Sequence, residues 1–200
     1  MKLAALILAA GASSRMGTPK ALLPLAGETF AERLARLFRE AGCAPVILVL
    51  GHDAETVRHG LAPEVADAVV VNPDYARGQL SSLQSGLSAV PEDADGFLFT
   101  PVDHAGVRPS TVSAIVRRFS GRSGELLVIP QSNGRRGHPV CCARELIPEF
   151  LSLAAGATAR DVVHRHLDRT ARVEVNDPGI HEDADDPEAY RRLLSAPLRP

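Results

Sequence analysis

The sequence contains no tryptophan, and aromatic residues make up only 4% of its 200 residues. Proteins that bind single-stranded nucleic acid use aromatic side chains as stacking platforms, so this chain is poorly equipped for that role. Its formal net charge is −2, which also argues against non-specific electrostatic binding of nucleic acid over a broad surface. We therefore expect no nucleic-acid partner.

Cysteine is scarce as well, with Cys43, Cys141 and Cys142 as the only three. An odd and sparse set suits a reducing cytoplasm and supplies no disulfide framework. No apolar run reaches the length of a membrane span or of a signal-peptide core. The sequence accordingly predicts a cytoplasmic protein with no membrane partner. Because neighbours in a strand face opposite sides, Cys141 and Cys142 are expected to be one core thiol and one surface or site thiol.

Several motifs that define common enzyme classes are absent. There is no Gly-x-Ser-x-Gly, so a serine hydrolase would lack its nucleophile elbow. There is no Gly-x-Gly-x-x-Gly dinucleotide fingerprint. A Walker A loop also fails, since five residues rather than four separate Gly11 from Gly17. His164 and His166 lie two positions apart on a predicted helix and therefore point to different faces, which does not suit a zinc site.

Apolar runs of strand length alternate with helical patterns along the chain, and 45% of the residues are hydrophobic. This alternation is typical of a parallel sheet with helices on both faces. We expect one three-layer α/β/α domain over residues 1–200, with a mostly parallel, Rossmann-like sheet. The predicted strands are Leu3–Ala9, Val46–Leu50, Ala68–Val71, Phe97–Thr100, Leu126–Ile129, Pro139–Cys142 and Val173–Val175.

Helix signals fill the segments between these strands. Thr29 followed by Glu32 is a capping-box pattern, and Asp53 and Asp186 suit N-cap positions. Caps and apolar residues at helical spacing predict helices over 29–41, 53–61, 80–87, 112–119, 144–153, 158–167 and 187–194.

The most informative segment is the loop after the first strand. Residues 8–20 read Leu-Ala-Ala-Gly-Ala-Ser-Ser-Arg-Met-Gly-Thr-Pro-Lys. Glycines let backbone N–H groups approach phosphate oxygens, and the arginine and the lysine neutralise them. The loop therefore predicts a polyphosphate-binding site.

Acidic residues follow two other predicted strands. Asp103 follows the fourth strand, and Asp183 and Asp185 follow the last one. In open α/β sheets, ligands bind beyond the carboxyl ends of the strands, so these carboxylates are expected to face the cationic loop. Mg²⁺ prefers oxygen ligands, usually one or two carboxylates with phosphates and waters. The combination predicts a site for a magnesium nucleoside triphosphate.

Together these segments resemble the motifs of the molybdenum-cofactor cytidylyltransferases and of the wider MobA-like NTP transferases. The match joins Ala-Ala-Gly, Arg-Met-Gly and Pro-Lys in the loop to Leu-Leu-Pro-Leu at 22–25. Gly-Arg-Arg-Gly-His-Pro at 134–139 and Asp-Ala-Asp-Asp-Pro-Glu-Ala-Tyr at 183–190 resemble two further family elements. The resemblance implies the nucleotide-diphospho-sugar transferase fold. It also implies transfer of a nucleoside monophosphate to a phosphorylated acceptor, with release of pyrophosphate.

The resemblance assigns roles residue by residue. Arg15, Lys20 and Asp103 match the catalytic positions, and Asp103 is also a metal ligand. Asp185 matches the second ligand of Mg²⁺, with Asp183 as its rival. The implied nucleotide-binding residues are Leu8, Ala9, Ala10, Gly11, Ser13, Ser14, Arg15, Met16, Gly17, Lys20, Gly78 and Ser82. The implied acceptor-binding residues are His104, Gly137, His138 and Pro139.

Two positions depart from the family pattern. The family usually has proline where this chain has Ala105, and threonine where it has Asp186. The first departure lies on the acceptor side, so the acceptor stays open. Molybdopterin is favoured, with a sugar phosphate or another small-molecule phosphate as the alternative.

The donor base is predicted from the loop. Guanylyl-transferring relatives carry Ala-Gly-Gly, whereas this chain has Ala-Ala-Gly, and the methyl group of Ala10 would narrow the slot for a purine. CTP is therefore favoured over GTP, with ATP and UTP as alternatives. The resemblance also implies transient contact with a molybdoenzyme or its maturation factor. Outside enzymes, the alternative is a nucleotide-binding accessory protein without transfer activity.

Overall fold

The computed structural model describes residues 1–195, and the last five residues of the predicted domain lie outside the described residues. The strands are β1 (Leu3–Ala9), β2 (Pro24–Leu25), β3 (Glu28–Thr29), β4 (Val46–Leu50), β5 (Ala68–Val71), β6 (Gly96–Pro101), β7 (Leu127–Ser132), β8 (Arg135–Arg136), β9 (Val140–Ala143) and β10 (Thr170–Glu174). The α-helices are α1 (Phe30–Glu40), α2 (Ala54–Gly60), α3 (Gln79–Leu87), α4 (Pro109–Ser120), α5 (Ile147–Ser152), α6 (Ala159–Arg165) and α7 (Pro187–Ser195).

The main sheet runs in the order β10-β7-β9-β6-β1-β4-β5, with β8 paired to β7 at its side. β1 pairs in parallel with both β4 and β6, and β5 and β10 also pair in parallel with their neighbours. β9 runs antiparallel to both β6 and β7. The expected mostly parallel sheet is therefore confirmed.

Helices cover both faces of this sheet. Every residue of β1 and β4 is buried, as expected for central strands of a covered parallel sheet. α1 and α3 each contact both of these strands. α1 also contacts α4, whereas α3 contacts α5 and α5 contacts α6, which gives two separate helix layers. The three-layer α/β/α architecture is confirmed.

Two of the three predicted helix caps form. Thr29 and Glu32 make a capping box at the start of α1, and Oδ1 of Asp186 accepts hydrogen bonds from the first-turn N–H groups of α7. The cap expected at Asp53 is wrong, because its backbone is left-handed, with φ 50°, and its side chain makes no cap hydrogen bond. A conformation of this kind turns the side chain away from the first helical N–H groups.

Some predicted boundaries differ from the observed ones. The helix expected over Arg144–Leu153 starts as a short 3₁₀ turn, and α5 begins only at Ile147. Pro148 suits this position because a first-turn residue needs no N–H donor. The strand expected at Val173–Val175 begins earlier, at Thr170, since parallel pairing with β7 rather than apolarity defines its extent.

The prediction that one of the adjacent thiols is exposed is wrong. Cys141 and Cys142 are both buried. They lie on β9, which pairs with a strand on each side and is covered on both faces. In such a strand, alternate positions face two different apolar layers rather than core and solvent.

Two tight hairpins were not predicted. β2 and β3 are joined by Ala26 and Gly27, which both have positive φ. β7 and β8 are joined by Asn133 and Gly134, which both have positive φ as well. Asn-Gly between two extended segments is a strong hairpin signal. None of the helices within residues 1–195 is long and apolar enough to cross a membrane.

Candidate active site

The register of the central strands brings three loops together. Ala9 of β1 is paired with Leu50 of β4, and Leu8 with Pro101 of β6, so these strands end at the same edge of the sheet. The segments that follow them therefore meet at that edge, where open α/β sheets bind ligands.

A cleft of about 270 Å³ lies at this edge. It is lined by most of the residues predicted to bind the nucleotide and the metal. These are Leu8, Ala9, Ala10, Gly11, Ser13, Ser14, Arg15, Lys20, Gly78, Ser82, Asp103 and Asp185.

Lys20 lies at the centre of the charged part of the cleft. Its ammonium group is 2.9 Å from Oδ2 of Asp103 and 2.5 Å from Oδ1 of Asp185. Arg15 approaches the other oxygen of Asp185 at 3.7 Å. The side chains of Lys20 and Asp103 are only 14% and 18% exposed, so their interaction is weakly screened by solvent.

The Lys20 ion pairs shift the pKa of two of their members. Burial alone lowers the pKa of Lys20, but the charge of Asp103 and the hydrogen bond to Asp185 outweigh burial, and the net pKa is raised. The hydrogen bond from Lys20 lowers the pKa of Asp185. Both groups are consequently charged at neutral pH, as a site for a polyphosphate and its metal cation requires.

The turn of the first loop is held by its own backbone. The carbonyl of Ser13 accepts hydrogen bonds from the N–H groups of Met16 and Gly17 at 2.9 and 3.2 Å. Oγ of Ser13 accepts a further bond from the N–H of Lys20 at 3.1 Å. Met16 and Gly17 do not line the cleft, and Gly17 has φ +68°, a conformation that favours glycine. These two residues shape the loop that carries Arg15.

The two acidic residues of the cleft fit a divalent cation. Oδ1 of Asp103 is buried and has no hydrogen-bond partner within residues 1–195. A buried carboxylate oxygen without a partner is costly, and a cation would satisfy it. No group of three or more metal-ligating side chains occurs in the described residues. Asp103 and Asp185 therefore fit a hard cation that takes its remaining ligands from phosphates and water.

The rival ligand Asp183 is placed elsewhere. It is exposed and does not line the cleft, whereas Asp185 does. The segment before it is positioned by Gly179, whose Cα lies against Gly106 so closely that a Cβ there would be 2.4 Å from the Gly106 carbonyl oxygen.

Ser82 is buried in a polar network that sequence patterns did not reveal. Nδ2 of Asn72 donates to Oγ of Ser81 at 2.9 Å and to Oγ of Ser82 at 3.1 Å. Oδ1 of Asn72 accepts from the N–H of Asp74 at 2.9 Å. Asn72 thus ties the start of α3 to the loop that follows β5.

The residues predicted to bind the acceptor lie together but outside the cleft. The rings of His104 and His138 are 4.8 Å apart between centroids. Nδ1 of each is buried, and neither has a hydrogen-bond partner among the described residues. Gly137 packs against the backbone of Ile180, and a Cβ on Gly137 would be 2.2 Å from the carbonyl oxygen of Ile180. Pro139, which follows His138, is buried.

Burial keeps His138 neutral, and this has a consequence for stability. Desolvation, followed by the charge of His104, lowers the pKa of His138 from 6.5 to about 3. The residue is partly exposed, but its Nδ1 is shielded from solvent. Because the unfolded chain binds this proton more readily, the stabilisation is present above pH 6.5 and is lost as the pH falls toward 3.

We therefore expect His138→Asn to reduce the acid sensitivity of the fold. Between about pH 7.5 and 5.5, the wild type should lose roughly 1 kcal/mol more unfolding free energy than the variant. Urea denaturation at the two pH values measures this difference. Equal losses in the two proteins would mean that His138 is not buried as a neutral ring.

Three further polar residues of the cleft were missed by sequence reasoning. His52, Tyr75 and Gln79 line it together with the predicted residues, and so do Pro19, Ala21, Pro101 and Val102. His52 follows β4 and Tyr75 follows β5. The rule that ligands bind beyond strand ends, applied to β4 as it was to β1 and β6, would have found His52.

A cationic loop opposite paired carboxylates, at the carboxyl edge of a mostly parallel sheet, is the arrangement of a nucleotidyltransferase. The chain belongs to the MobA-like NTP transferase family, since the model of the MobA-like NTP transferase domain matches residues 5–170. The class predicted from the sequence is confirmed. Enzymes of this class take a nucleoside triphosphate and a phosphorylated acceptor.

Two curated relatives have different names. The chain is 34% identical over 198 residues to nicotine blue oxidoreductase of Paenarthrobacter nicotinovorans, and the alignment covers 94% of each chain. It is 29% identical over 146 residues to molybdenum cofactor cytidylyltransferase of Escherichia coli K12, and this alignment covers 73% of this chain and 72% of the relative.

Solved structures agree with the fold. Rv0371c from Mycobacterium tuberculosis H37Rv superimposes with a TM-score of 0.84 at 29% identity, over 98% of this chain and 100% of that one. A structure of Rv0371c in complex with manganese has a TM-score of 0.79 at 28% identity, with coverage of 98% and 100%.

Proposed function

We propose that this protein transfers CMP from CTP to a phosphorylated small-molecule acceptor and releases pyrophosphate. The observation that carries the proposal is the Lys20 ammonium group, held between Asp103 and Asp185 in a cleft edged by a glycine- and serine-rich loop. A buried cation beside two carboxylates supplies the charges that a triphosphate and its divalent metal need.

The proposed reaction is an in-line attack by an acceptor phosphate oxygen on the α-phosphorus of the nucleotide. As the bond to pyrophosphate breaks, Lys20 and Arg15 offset the charge that develops on the leaving group. The buried position of Lys20 strengthens this effect, because a charge in a poorly solvated site acts through a lower effective dielectric constant. No covalent intermediate on the protein is required, so catalysis rests on positioning and electrostatics.

Asp103 and Asp185 would hold Mg²⁺ in this mechanism. When bound, the metal supplies positive charge next to the phosphate oxygens. Arg15 and Lys20 would then be released from part of their pairing with the carboxylates and turn toward the phosphates. The manganese complex of Rv0371c supports a divalent metal in this fold.

The acceptor proposed first is molybdopterin. The name of the Escherichia coli relative supports both this acceptor and CTP, while relatives named as probable molybdenum cofactor guanylyltransferases keep GTP as an alternative donor. His104, Gly137, His138 and Pro139 would then contact the acceptor. The same proposal includes transfer of the product to a molybdoenzyme or its maturation factor. It places the protein in the cytoplasm, where the three free thiols stay reduced.

Oxidoreduction is a second candidate, supported by the full-length similarity to nicotine blue oxidoreductase. The charged cleft favours the transferase, because hydride transfer does not call for a buried lysine between two carboxylates. Incubating the protein with nicotine blue and a chemical reductant, and following the colour of nicotine blue, tests the second candidate. Colour loss without any nucleotidyl transfer would favour the oxidoreductase.

Thermal unfolding with each of the four nucleoside triphosphates and Mg²⁺ tests the proposed donor. A ligand at 100 times its dissociation constant stabilises a fold by about 2.7 kcal/mol, which in a domain of this size raises Tm by about 5–10 °C. We expect a rise of this order with CTP. A rise selective for GTP would overturn the choice of base, and no rise with any triphosphate would contradict the function itself.

Turnover separates the enzyme from a binding protein. An accessory protein would bind CTP and release no pyrophosphate, whereas the proposed enzyme releases pyrophosphate once the acceptor is added.

A further inference from the structure

One wall of the cleft is formed by residues from three loops packed against Gly51. A Cβ at Gly51 would lie 2.6 Å from Cβ of Tyr75 and 2.8 Å from Cβ of Ala10. Only a glycine at position 51 leaves room for the side chains of Tyr75 and Ala10 to lie this close to its backbone. The Ala10 methyl group and the Tyr75 side chain therefore belong to one continuous surface of the cleft, which both residues line.

His52 completes this wall. Its N–H donates to the carbonyl of Ala10 at 3.1 Å. Its ring meets the ring of Tyr75 edge to face, with centroids 5.6 Å apart and planes at 87°. The two rings support each other in a geometry that aromatic pairs prefer.

The loop that carries Tyr75 is anchored on both sides. The carbonyl of Tyr75 accepts a hydrogen bond from the N–H of Gly78 at 3.1 Å. Asn72, which is 1% exposed, holds Asp74 and the first turn of α3 through its side-chain amide. A wall fixed in this way can exclude a ligand that is too large, because it has no nearby alternative conformation.

The wall lies at the opposite end of the cleft from the phosphate-binding charges. Asp103 follows β6 and Tyr75 follows β5, and β1 and β4 lie between these strands. Three strand spacings of about 4.8 Å separate the two ends by about 14 Å. With the triphosphate near Lys20, this separation leaves room for the sugar and places the base against the wall.

His52 presents a hydrogen-bond acceptor at this wall. Its Nδ1 is 3.1 Å from Oδ2 of Asp53. A carboxylate at this distance favours a proton on Nδ1, since a lone pair there would face a negative charge, which leaves Nε2 as the ring nitrogen that can accept a hydrogen bond.

We propose that Tyr75 and His52 are the residues that select the base of the nucleotide. Tyr75, with Ala10, limits the pocket to a pyrimidine ring. Nε2 of His52 accepts a hydrogen bond from the exocyclic amino group of cytosine, whereas uracil would present a carbonyl oxygen there. This inference rests on the proposed function, because it requires a nucleoside triphosphate in the cleft.

Equilibrium binding of CTP, UTP, ATP and GTP, each with Mg²⁺ and without acceptor, tests the two assignments separately. His52→Ala should reduce the preference for CTP over UTP by about five- to tenfold, the scale of one hydrogen bond. Tyr75→Ala should raise purine affinity relative to CTP by roughly tenfold or more, whereas Tyr75→Phe, which keeps the ring, should still exclude purines. His59→Ala is the matched control, since this exposed histidine of α2 lies outside the cleft, and it should leave all ratios unchanged.

The outcomes distinguish this inference from the function on which it rests. If the wild type binds CTP but His52→Ala keeps the same preference over UTP, the assignment of His52 is overturned. If Tyr75→Ala keeps the same ratio of purine to pyrimidine affinity, the assignment of Tyr75 is overturned. Binding of no triphosphate to the wild type would overturn the proposed function and this inference together.

Discussion

Lys20→Ala is expected to lower turnover by about 10²–10³-fold, the scale for removing one preorganised group that stabilises transition-state charge. Lys20 is the cation that lies closest to both carboxylates of the cleft, at 2.9 and 2.5 Å. Its removal also leaves Asp103 and Asp185 facing each other without a shared counter-charge. Steady-state kinetics with saturating CTP and Mg²⁺ measure the effect.

The chain supplies its own control for this variant. Lys2 is the only other lysine, and it pairs with the exposed Asp93 away from the cleft. Lys2→Ala should retain wild-type turnover, and Lys20→Arg should recover part of the lost rate because it restores the charge with a different shape. Wild-type turnover in Lys20→Ala would remove this lysine from the mechanism.

Asp103→Ala is expected to abolish the activity that depends on divalent metal, with a loss of roughly 10³-fold or more. Asp103 holds Lys20 and has a buried Oδ1 with no partner in the part of the chain described by the structure, so its removal takes away the more buried of the two proposed metal ligands. A titration of activity against Mg²⁺ at fixed CTP checks the result. Unchanged dependence on Mg²⁺ would contradict the metal assignment.

Neighbouring carboxylates make this test specific. Asp185→Ala should show a loss of the same kind, whereas Asp183→Ala should not, because only Asp185 lines the cleft. Asp168→Ala, at an exposed position in a short turn before β10, is a control for the loss of one negative charge. A larger loss in Asp183→Ala than in Asp185→Ala would reverse the assignment.

The sequence predicts best those features that local chemistry determines. The capping box at Thr29, the cap at Asp186 and the fully apolar strands β1 and β4 all formed as expected. The strand-end rule correctly brought the first loop, Asp103 and Asp185 to one cleft. Each of these features depends on a few neighbouring residues or on a rule of parallel-sheet topology.

Several of the features that differ from the predictions depend on tertiary pairing. β10 carries Arg172 and Glu174 and is a strand because it pairs with β7, not because of an apolar pattern. Cys141 and Cys142 are both buried because β9 inserts antiparallel between two other strands. Tyr75 reaches the cleft because Gly51 lets it approach, a contact between loops that follow different strands.

The residues proposed to bind the acceptor show the same difference between local and tertiary features. The element at 134–139 folds back on the backbone near Ile180, and the tilted rings of His104 and His138 lie next to each other beside the cleft rather than in it. The type of residue was predictable, whereas the shape of the surface that they form depends on segments far apart in the chain.

Nucleotidyl transfer itself can be observed by following the α-phosphate of CTP. CTP labelled at the α-phosphorus is incubated with the enzyme, Mg²⁺ and a molybdopterin acceptor, and the products are separated. We expect the label to move to a nucleotide–acceptor product, with one pyrophosphate released for each label transferred. Label that stays in CTP, or appears in CDP with release of orthophosphate, would contradict nucleotidyl transfer at this site.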